Sequence, residues 1–432
     1  LAAVVTRAVK AQPERYFGIF RRTLLPLTVS AIAICGLAAG GDALIEKISV
    51  ARLPAAAAGS PNVLLIVLDT FRGDRMGAYG YSRPTTPFLD EYAKKSILFE
   101  HAFANSSWTL PSHASLFTGR LPYEHGATIN RLDTRFPTIG EVLASRGYLT
   151  AGFVGNKTSC TKAFGLARGF QRWENIFTDF YDSIRRTSLG RRLERYAQKY
   201  LRLGAPPFRT PAPEINRHVL DWLDARAQRP FFVFVNYMET HDPYVAPPQF
   251  VQRFRTLNDD EALPVTGRTL QAPDQGVTDS YDSAVAYLDS EVSKLFQGLA
   301  QRGLDKNMLV IITSDHGESL GENGLHTHQN SLYLPQIRVP LLVRFPGHTA
   351  ENMRVAGVVG LERIAPTIAE LSLGFTEPFT TGSLRPMWSG PAEATEPVLS
   401  EIAGDDWPGV PEHWPIRQGW LKSLITDRWH FI

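Results

Sequence analysis

Residues 106–120, SSWTLPSHASLFTGR, combine a hydroxyl group with the signals of a helix start. Thr109 stands two positions before Pro111, and proline favours the first turn of a helix because its missing N–H would have no partner there. The unpaired N–H groups and the dipole of that turn favour an anion. A threonine at such a site is suited to attack a phosphate or sulfate ester, although a hydroxyl that only caps the helix is the simpler alternative.

Three further groups with metal-binding or acid–base chemistry follow apolar runs that are typical of buried strands. Asp69 follows NVLLIVL, His241 comes shortly after FFVFVNY, and the pair Asp315-His316 follows MLVIITS. Ligands of open α/β sheets bind beyond the carboxyl ends of the strands, so we expect these groups to meet. Each of them taken singly is compatible with a strand-end cap or a turn, but their coincidence favours a functional site.

A carboxylate from one strand end and an Asp-His pair from another form a cation site of oxygen and imidazole ligands. Such ligands suit Zn²⁺ or Mn²⁺, and Ca²⁺ is less favoured because of the imidazole. The cation would lower the pKa of the Thr109 hydroxyl and neutralise the non-bridging oxygens of an ester. His241 and His328 are predicted to donate to the substrate or to protonate its leaving oxygen.

The elements that must position these residues alternate between strands and helices, which predicts an α/β layered domain. Continuous apolar runs predict strands buried on both faces of a parallel sheet over residues 62–69, 150–154, 231–237, 308–314 and 339–345. Amphipathic patterns predict helices over residues 87–96, 137–146, 214–228, 279–302 and 361–371.

The composition excludes several classes of protein. Hydrophobic residues make up 44% of the 432 residues and charged residues 20%, a balance that can bury a sizeable core. The net charge of only +2 gives no indication of nucleic-acid binding. The two cysteines, Cys35 and Cys160, lie in an apolar segment and a polar loop, so no disulfide framework is predicted.

The N-terminal region predicts membrane attachment or export. Residues 24–40, LLPLTVSAIAICGLAAG, form an uncharged and mostly apolar run after a basic stretch at 1–23. We predict a membrane anchor, with residues 1–23 in the cytoplasm, and a cleaved secretory signal is the alternative. Residues 41–61 are predicted to be a linker. Both alternatives place the main domain outside the cytoplasm. It would be periplasmic or extracellular on a membrane anchor, and secreted if the segment is cleaved.

Taken together, these segments resemble the sulfatase family of the alkaline phosphatase superfamily. The similarity extends from about residue 61 to 373 and rests on VLDTFRGDRMGAYGY, WTLPSHASLFTGRLPYEHG, HDPY, TSDHGESLGENGLHTH and NSLYLPQIRVPLLVRFPG. The resemblance implies an α/β/α sandwich around a large mixed sheet, with residues 62–374 as the catalytic domain. It also implies a small C-terminal sheet subdomain, begun by residues 375–432 and truncated there.

Carried over residue by residue, the resemblance implies that Asp69, Thr109, Asp315 and His316 bind the metal. Thr109 would also be the nucleophile, and His241 would act with His328 on the substrate.

The chain departs from the pattern of formylglycine sulfatases. Those enzymes carry Cys or Ser in a C/S-x-P-x-R pattern, whereas Thr109 and His113 occupy the two ends of that pattern here. Threonine is not converted to formylglycine by that route, and Thr70 stands where a second acidic residue is usual. The threonine and the segment SDHGESLGENG followed by His328 are similar to the phosphodiesterases and phosphoethanolamine transferases of the superfamily.

The sequence therefore predicts a metal-dependent hydrolase or transferase that acts on phosphate mono- or diesters through a covalent phosphothreonine. The substrate would be an anionic phosphate or sulfate ester, carried by a lipid or a glycan, and no nucleic-acid partner is expected. Three alternatives stay open. They are a sulfatase that works without formylglycine, a non-catalytic membrane-anchored envelope protein, and a module that binds anionic glycans or lipids through the arginines at 185–195.

Overall fold

The computed structural model describes residues 13–174, 209–226, 229–255, 275–389, 396–404 and 410–432. The chain divides into two compact units, Leu1–Leu53 and Pro54–Ile432. In the first unit, the described residues include a helix, α1, that extends over Pro13–Ala51 and therefore includes the first part of the predicted linker.

The predicted membrane-spanning segment at 24–40 is not supported. Within the described ranges, no helix combines the length and the apolar character needed to cross a lipid bilayer. The predicted location outside the cytoplasm stays a prediction.

The second unit contains fourteen strands and ten helices among its described residues. The strands are β1 (Asn62–Leu68), β2 (Ile97–Phe103), β3 (Leu149–Val154), β4 (Arg172–Glu174), β5 (Phe231–Tyr237), β6 (Met308–Thr313), β7 (Ser319–Leu320), β8 (His326–Thr327), β9 (Arg338–Val339), β10 (Leu341–Arg344), β11 (Met353–Gly360), β12 (Val398–Ile402), β13 (Leu421–Ile425) and β14 (His430–Phe431). The helices are α2 (Pro87–Ala93), α3 (Thr109–Thr118), α4 (Pro122–His125), α5 (Ile139–Ser145), α6 (Ala212–Arg226), α7 (Pro248–Phe254), α8 (Gln275–Gln301), α9 (Leu334–Ile337), α10 (Ile364–Leu373) and α11 (Pro386–Ser389).

The main sheet is mixed and has the strand order β11-β2-β10-β6-β1-β5-β3-β4, with β9 paired to β2. The central strand β1 is parallel to both of its neighbours, β5 and β6. Strand β10 is antiparallel to β6 and β2. Because β1, β5 and β6 run in the same direction, their carboxyl ends meet at one edge of the sheet, where the candidate residues lie.

Helices cover both faces of this sheet, which explains why its central strands are apolar on both sides. On one face, Val63 and Leu65 of β1 belong to a buried cluster with side chains of α3, α5 and α10. On the other face, Trp222 of α6 packs against Phe153 of β3 with ring centroids 6.2 Å apart. The predicted α/β/α sandwich around a large mixed sheet is confirmed.

The C-terminal segment forms a separate three-stranded antiparallel sheet, β12-β13-β14. Its buried face shares an apolar cluster with residues from earlier in the same unit, among them Phe103, Leu332 and Ile337. The five predicted strands are present within one or two residues of their predicted bounds, with the last one divided into β9 and β10. The strands β2 and β11 were not predicted.

Candidate active site

The predicted carboxylates lie together because they follow adjacent parallel strands. Asp69 comes directly after β1, and its backbone N–H donates to the carbonyl of Tyr237 at 2.8 Å. The next residue, Thr70, has a φ of 59°, an unusual conformation for a β-branched residue. In this conformation the N–H of Thr70 points at Asp315 and donates to its Oδ1 at 3.3 Å. The turn after β1 and the turn after β6 are thereby joined.

A candidate metal centre is formed by Asp69, Asp315 and His316. Ligand atoms of these three buried side chains all lie within 4.8 Å of one another. Among the described residues, Asp69 Oδ1 and Asp315 Oδ2 have no hydrogen-bond partner, although both atoms are buried. Buried carboxylate oxygens are costly to leave unpaired, so these two atoms are suited to bind a cation.

The imidazole of His316 has the tautomer that a metal ligand needs. Its Nδ1 lies 2.9 Å from the carbonyl oxygen of Gly317, so the N–H at that nitrogen donates there. The lone pair of Nε2 then faces the site, 3.4 Å from Asp315 Oδ2 and 3.3 Å from the Thr109 hydroxyl. The residues present therefore fit a divalent cation, with two carboxylates, one imidazole and the threonine hydroxyl around it.

The two carboxyl groups differ in their electrostatic surroundings. Burial and the charge of Asp69 raise the pKa of Asp315 well above its usual value. Burial acts in the same direction on Asp69, but the charges of His241 and His316 and a hydrogen bond from Asn156 outweigh it and lower the pKa of Asp69. A cation at this point would favour the ionised form of both groups.

Thr109 is the first residue of α3, as the sequence predicts. The preceding residue, Trp108, is extended, with φ −141° and ψ 140°, so the chain turns sharply into the helix at the threonine. The ring of His113, one turn later, is fully buried and its Nδ1–H donates to the Thr109 carbonyl at 2.8 Å. The same nitrogen lies 3.5 Å from Asp315 Oδ2. Burial lowers the pKa of His113, so a neutral ring occupies the position of the arginine of formylglycine sulfatases.

His241 and His328, the two predicted substrate-side histidines, lie on loops on the other side of the site. Their rings are 4.8 Å apart, and the ring of His328 is 4.6 Å from that of His316. The Nδ1 of His328 is 3.1 Å from Glu318 Oε1. The other oxygen of Glu318 accepts a hydrogen bond from the Tyr244 hydroxyl at 2.9 Å.

The two histidines have opposite pKa shifts. Burial lowers the pKa of His328, but the hydrogen bond and the charge of Glu318 outweigh burial and raise it overall. Burial and the neighbouring His328 lower the pKa of His241. One ring is therefore suited to carry a proton and the other to stay neutral, which is the pattern expected of groups that share acid and base roles.

Several residues of the site were not predicted from the sequence. Asn156 and Asn236 donate to Asp69 Oδ2 at 3.0 and 3.4 Å. Glu318 contacts the ring of His328, and Arg209 donates to the backbone carbonyl of His241. Glu318 lies in the segment TSDHGES, three residues after Asp315, and this proximity in sequence is the signal that could have identified it.

Two further sequence features are the cysteine at 160 and the arginines at 185–195. Cys160 is a free and fully buried thiol, and burial with the charges of Asp69 and Asp315 raises its pKa well above the usual value. The arginines at 185–195, predicted to be solvated or to bind an anion, lie outside the described residues.

Comparison with known proteins gives a consistent family assignment. The family model described as Sulfatase matches residues 61–375. The chain is 29% identical over 395 residues to the choline-sulfatase of Rhizobium meliloti (strain 1021), covering 80% of this chain and 75% of that protein. It is 26% identical to the iduronate 2-sulfatase of Homo sapiens, covering 67% of this chain and 60% of that protein.

A solved structure with a similar fold is the phosphonate monoester hydrolase of Agrobacterium radiobacter. It has a TM-score of 0.68 and 20% sequence identity, and the match covers 86% of each chain. A structural match at 20% identity shows a shared fold. The family assignment comes from the family model. The chain belongs to the sulfatase family of metal-dependent ester hydrolases, within the alkaline phosphatase superfamily.

Proposed function

We propose that this protein is a metal-dependent hydrolase or transferase of phosphate esters, with Thr109 as the nucleophile. The observation that carries the proposal is the position of the Thr109 hydroxyl, 3.3 Å from His316 Nε2. The same nitrogen lies 3.4 Å from Asp315 Oδ2, a buried carboxylate oxygen that has no hydrogen-bond partner among the described residues. A hydroxyl at the edge of a cation site is an activated nucleophile rather than a simple helix cap.

The divalent cation would be held by Asp69, Thr109, Asp315 and His316, with Zn²⁺ or Mn²⁺ favoured over Ca²⁺ because of the imidazole. When bound, it supplies charge stabilisation to the ester oxygens and lowers the pKa of the threonine hydroxyl.

The protein's own residues then perform two displacements. Thr109 reacts as the alkoxide, after its hydroxyl has released its proton to water. In the first step, Thr109 Oγ1 forms a bond to phosphorus, the bond from phosphorus to the leaving oxygen breaks, and His328 gives its proton to that oxygen. In the second step, water or an acceptor hydroxyl forms a bond to phosphorus and loses its proton to a histidine of the site. The bond from phosphorus to Thr109 breaks, and the threonine is restored.

Sulfate-ester hydrolysis without formylglycine is the second candidate. It is supported by the curated relatives, which are a choline-sulfatase and an iduronate 2-sulfatase. The neutral His113 at the position of the usual arginine, together with Thr109, distinguishes this chain from the formylglycine pattern. The substrate of either reaction, on a lipid or a glycan, is part of the proposal.

The decisive experiment measures hydrolysis of p-nitrophenyl phosphate, bis-p-nitrophenyl phosphate and p-nitrophenyl sulfate by the full chain with Zn²⁺, Mn²⁺ or Ca²⁺. We expect metal-dependent phosphoester cleavage that falls by at least about 10³-fold in Thr109→Ala. The matched control is Thr118→Ala, because Thr118 lies in the same helix and its hydroxyl donates to the Ala114 carbonyl.

Mass spectrometry of quenched reactions should find the phosphoryl group on Thr109. Unchanged turnover in Thr109→Ala would rule out the threonine mechanism. Preferential cleavage of the sulfate ester would favour the second candidate, and no cleavage of any of the three esters, with full metal occupancy, would favour a non-catalytic binding protein.

A further inference from the structure

Arg209 is a buried arginine beside the candidate active site, with only 4% of its surface exposed. It comes directly after residues 175–208, which lie outside the described part of the chain. Its backbone forms an isolated antiparallel bridge with Asn156. The following residue, Thr210, donates its N–H to the carbonyl of Gly155 at 2.9 Å. The backbone of Arg209 is therefore held against the loop that follows β3.

The guanidinium group of Arg209 binds three carbonyl oxygens of one short turn, residues 239–243. Nη2 donates to the carbonyls of His241 at 2.8 Å and Pro243 at 2.7 Å, and Nη1 donates to that of Glu239 at 3.4 Å. A planar guanidinium with its donors in fixed directions is well suited to bridge several carbonyls. Because His241 is in the middle of the turn, this contact fixes the backbone from which its imidazole projects.

Two other side chains tie the same turn to neighbouring elements. The hydroxyl of Thr240 donates to the Asp69 carbonyl at 2.6 Å. The carboxylate of Glu239 accepts a hydrogen bond from the N–H of Ala212, at the start of α6, at 2.6 Å. The turn is therefore connected directly to the metal ligand Asp69, and an error in its position would change the distance between His241 and the metal centre.

The charge of Arg209 also fits its surroundings. Burial lowers the pKa of the guanidinium, while the charges of Glu239, Asp242 and Asp69 oppose that shift. Arginine keeps its proton in such a place, whereas a buried lysine readily loses it. Arg209→Lys is therefore not a conservative substitution here, since it loses both the bridging geometry and the permanent charge.

We propose that Arg209 is a positioning residue for the reaction, which holds His241 beside His328 and the metal ligands by binding the carbonyls of the turn. The inference rests on the proposed function in one respect, the action of His241 on the substrate. The described hydrogen bonds of the Arg209 guanidinium go to backbone carbonyls of the turn, so we expect its loss to act through His241.

The first test is a double-mutant cycle on phosphoester turnover with Arg209→Met, His241→Ala and the combined variant. We expect Arg209→Met to lower kcat by about 10²-fold, with KM changed by less than about 3-fold. The combined variant should be no slower than His241→Ala alone, because both changes remove the same interaction. The kcat of Arg209→Lys should lie between that of the wild type and that of Arg209→Met.

Arg168→Lys is the matched control. Arg168 also binds loop carbonyls, those of Asp133 and Phe136, but in a loop that carries none of the candidate residues. Its substitution should lower the midpoint of thermal unfolding and leave kcat unchanged.

The outcomes separate the two proposals. Losses that multiply in the combined variant, or a kcat of Arg209→Met within about twofold of the wild type, would overturn the positioning role. Normal turnover in His241→Ala would also overturn it, whereas normal turnover in Thr109→Ala would overturn the proposed function.

A second measurement needs no substrate and applies even where Arg209→Met fails to fold. The ring signals of ¹³C-labelled histidines are recorded by NMR, with the His241 signal assigned from His241→Ala. We expect Arg209→Lys to shift and broaden the His241 signal while the buried His125 ring, hydrogen-bonded to Ser115, keeps its signal. An unchanged His241 signal would overturn the proposal.

Discussion

The candidate site has two halves that are built in different ways. The metal half consists of Asp69, Asp315 and His316 with Thr109, and its carboxylates lie within two residues of the ends of the central strands β1 and β6. The histidine half consists of His241 and His328, which lie on loops. The positions in the metal half follow from the register of parallel strands. Those in the histidine half depend on hydrogen bonds from other side chains.

The two halves also differ in how their polar atoms are satisfied. In the metal half, two buried carboxylate oxygens have no hydrogen-bond partner within the described ranges. In the histidine half, both oxygens of Glu318 have partners, His328 and Tyr244. The unpaired oxygens of the metal half are therefore suited to bind a cation, whereas both oxygens of Glu318, which contacts the histidine half, already have partners. Substitutions should accordingly separate metal binding from the rate of the chemical step.

The largest effect is expected from Asp315→Asn, in the metal half. It should remove the bound metal and lower kcat/KM by at least about 10³-fold. In the metal-free protein the same substitution should raise the free energy of unfolding by about 1–3 kcal/mol, because a buried carboxyl with a raised pKa destabilises the fold at neutral pH. Elemental analysis, turnover and denaturation in EDTA measure these effects. Full metal occupancy in Asp315→Asn would contradict the assignment of this ligand.

A smaller effect is expected from Glu318→Gln, in the histidine half. Metal content should stay at the wild-type level while kcat falls by about 10–10²-fold. Glu318 raises the pKa of His328, so its loss lowers that pKa. A step that needs protonated His328 slows as the pH rises through this pKa, and the alkaline limb of the pH–rate profile should therefore move to lower pH.

Tyr244→Phe is the control for this substitution, because it removes only the other hydrogen bond of Glu318. The alkaline limb should stay nearly in place in Tyr244→Phe. An alkaline limb that does not move in Glu318→Gln would argue against His328 as the acid.

His113→Leu should have a modest effect, because His113 contacts the metal half without being a ligand in our assignment. The substitution removes the donor to the Thr109 carbonyl, so we expect stability to fall by about 1–3 kcal/mol and kcat by less than about tenfold. His113→Asn, which keeps a donor near the position of Nδ1, should recover part of both. Loss of metal in His113→Leu would show that the imidazole is itself a ligand.

Asp289→Asn should leave turnover unchanged, since Asp289 lies in α8 and accepts hydrogen bonds from the N–H groups of Phe88 and Leu89. Burial raises the pKa of Asp289 to about 7. The folded protein therefore holds this proton more tightly than the unfolded chain does. Its free energy of unfolding should fall by up to roughly 4 kcal/mol between about pH 4 and pH 7.

The Asn variant should lack this component of the pH dependence. Urea denaturation at several pH values measures it, and identical pH profiles for the two proteins would contradict the raised pKa. A change in kcat would show that the site is sensitive to α8.

The metal half was predictable from the sequence because its residues follow continuous apolar runs. Strands such as NVLLIVL and MLVIITS are buried on both faces, and the parallel arrangement places their ends at one edge. The strand β2 escaped prediction because ILFEHAF contains the partly exposed Glu100 and His101. The strand β11 was missed because most of its first five residues are exposed or partly exposed and because it contains two glycines.

The residues that contact the histidine half from other segments were not predictable from the sequence, and the reason is their distance along the chain. Arg209 is 32 residues from His241 in the chain, and it lies at the end of a basic stretch that is typical of a solvated surface. Its role depends on the packing of the turn at 239–243, which no local pattern encodes. Asn156 and Asn236 likewise contact Asp69 only because β3 and β5 bring them to the same edge.

Cys160 offers a consequence for the dynamics of the site. A fully buried thiol with a raised pKa reacts with an alkylating reagent only when the protein opens locally, so its labelling rate counts such openings. Cys160 lies four residues after Asn156, whose side-chain amide donates to Asp69 Oδ2 at 3.0 Å, so its loop is tied to the metal half. The alkylation rate of Cys160 therefore reports on local opening near the metal half in the unmodified protein, and cation binding should lower that rate.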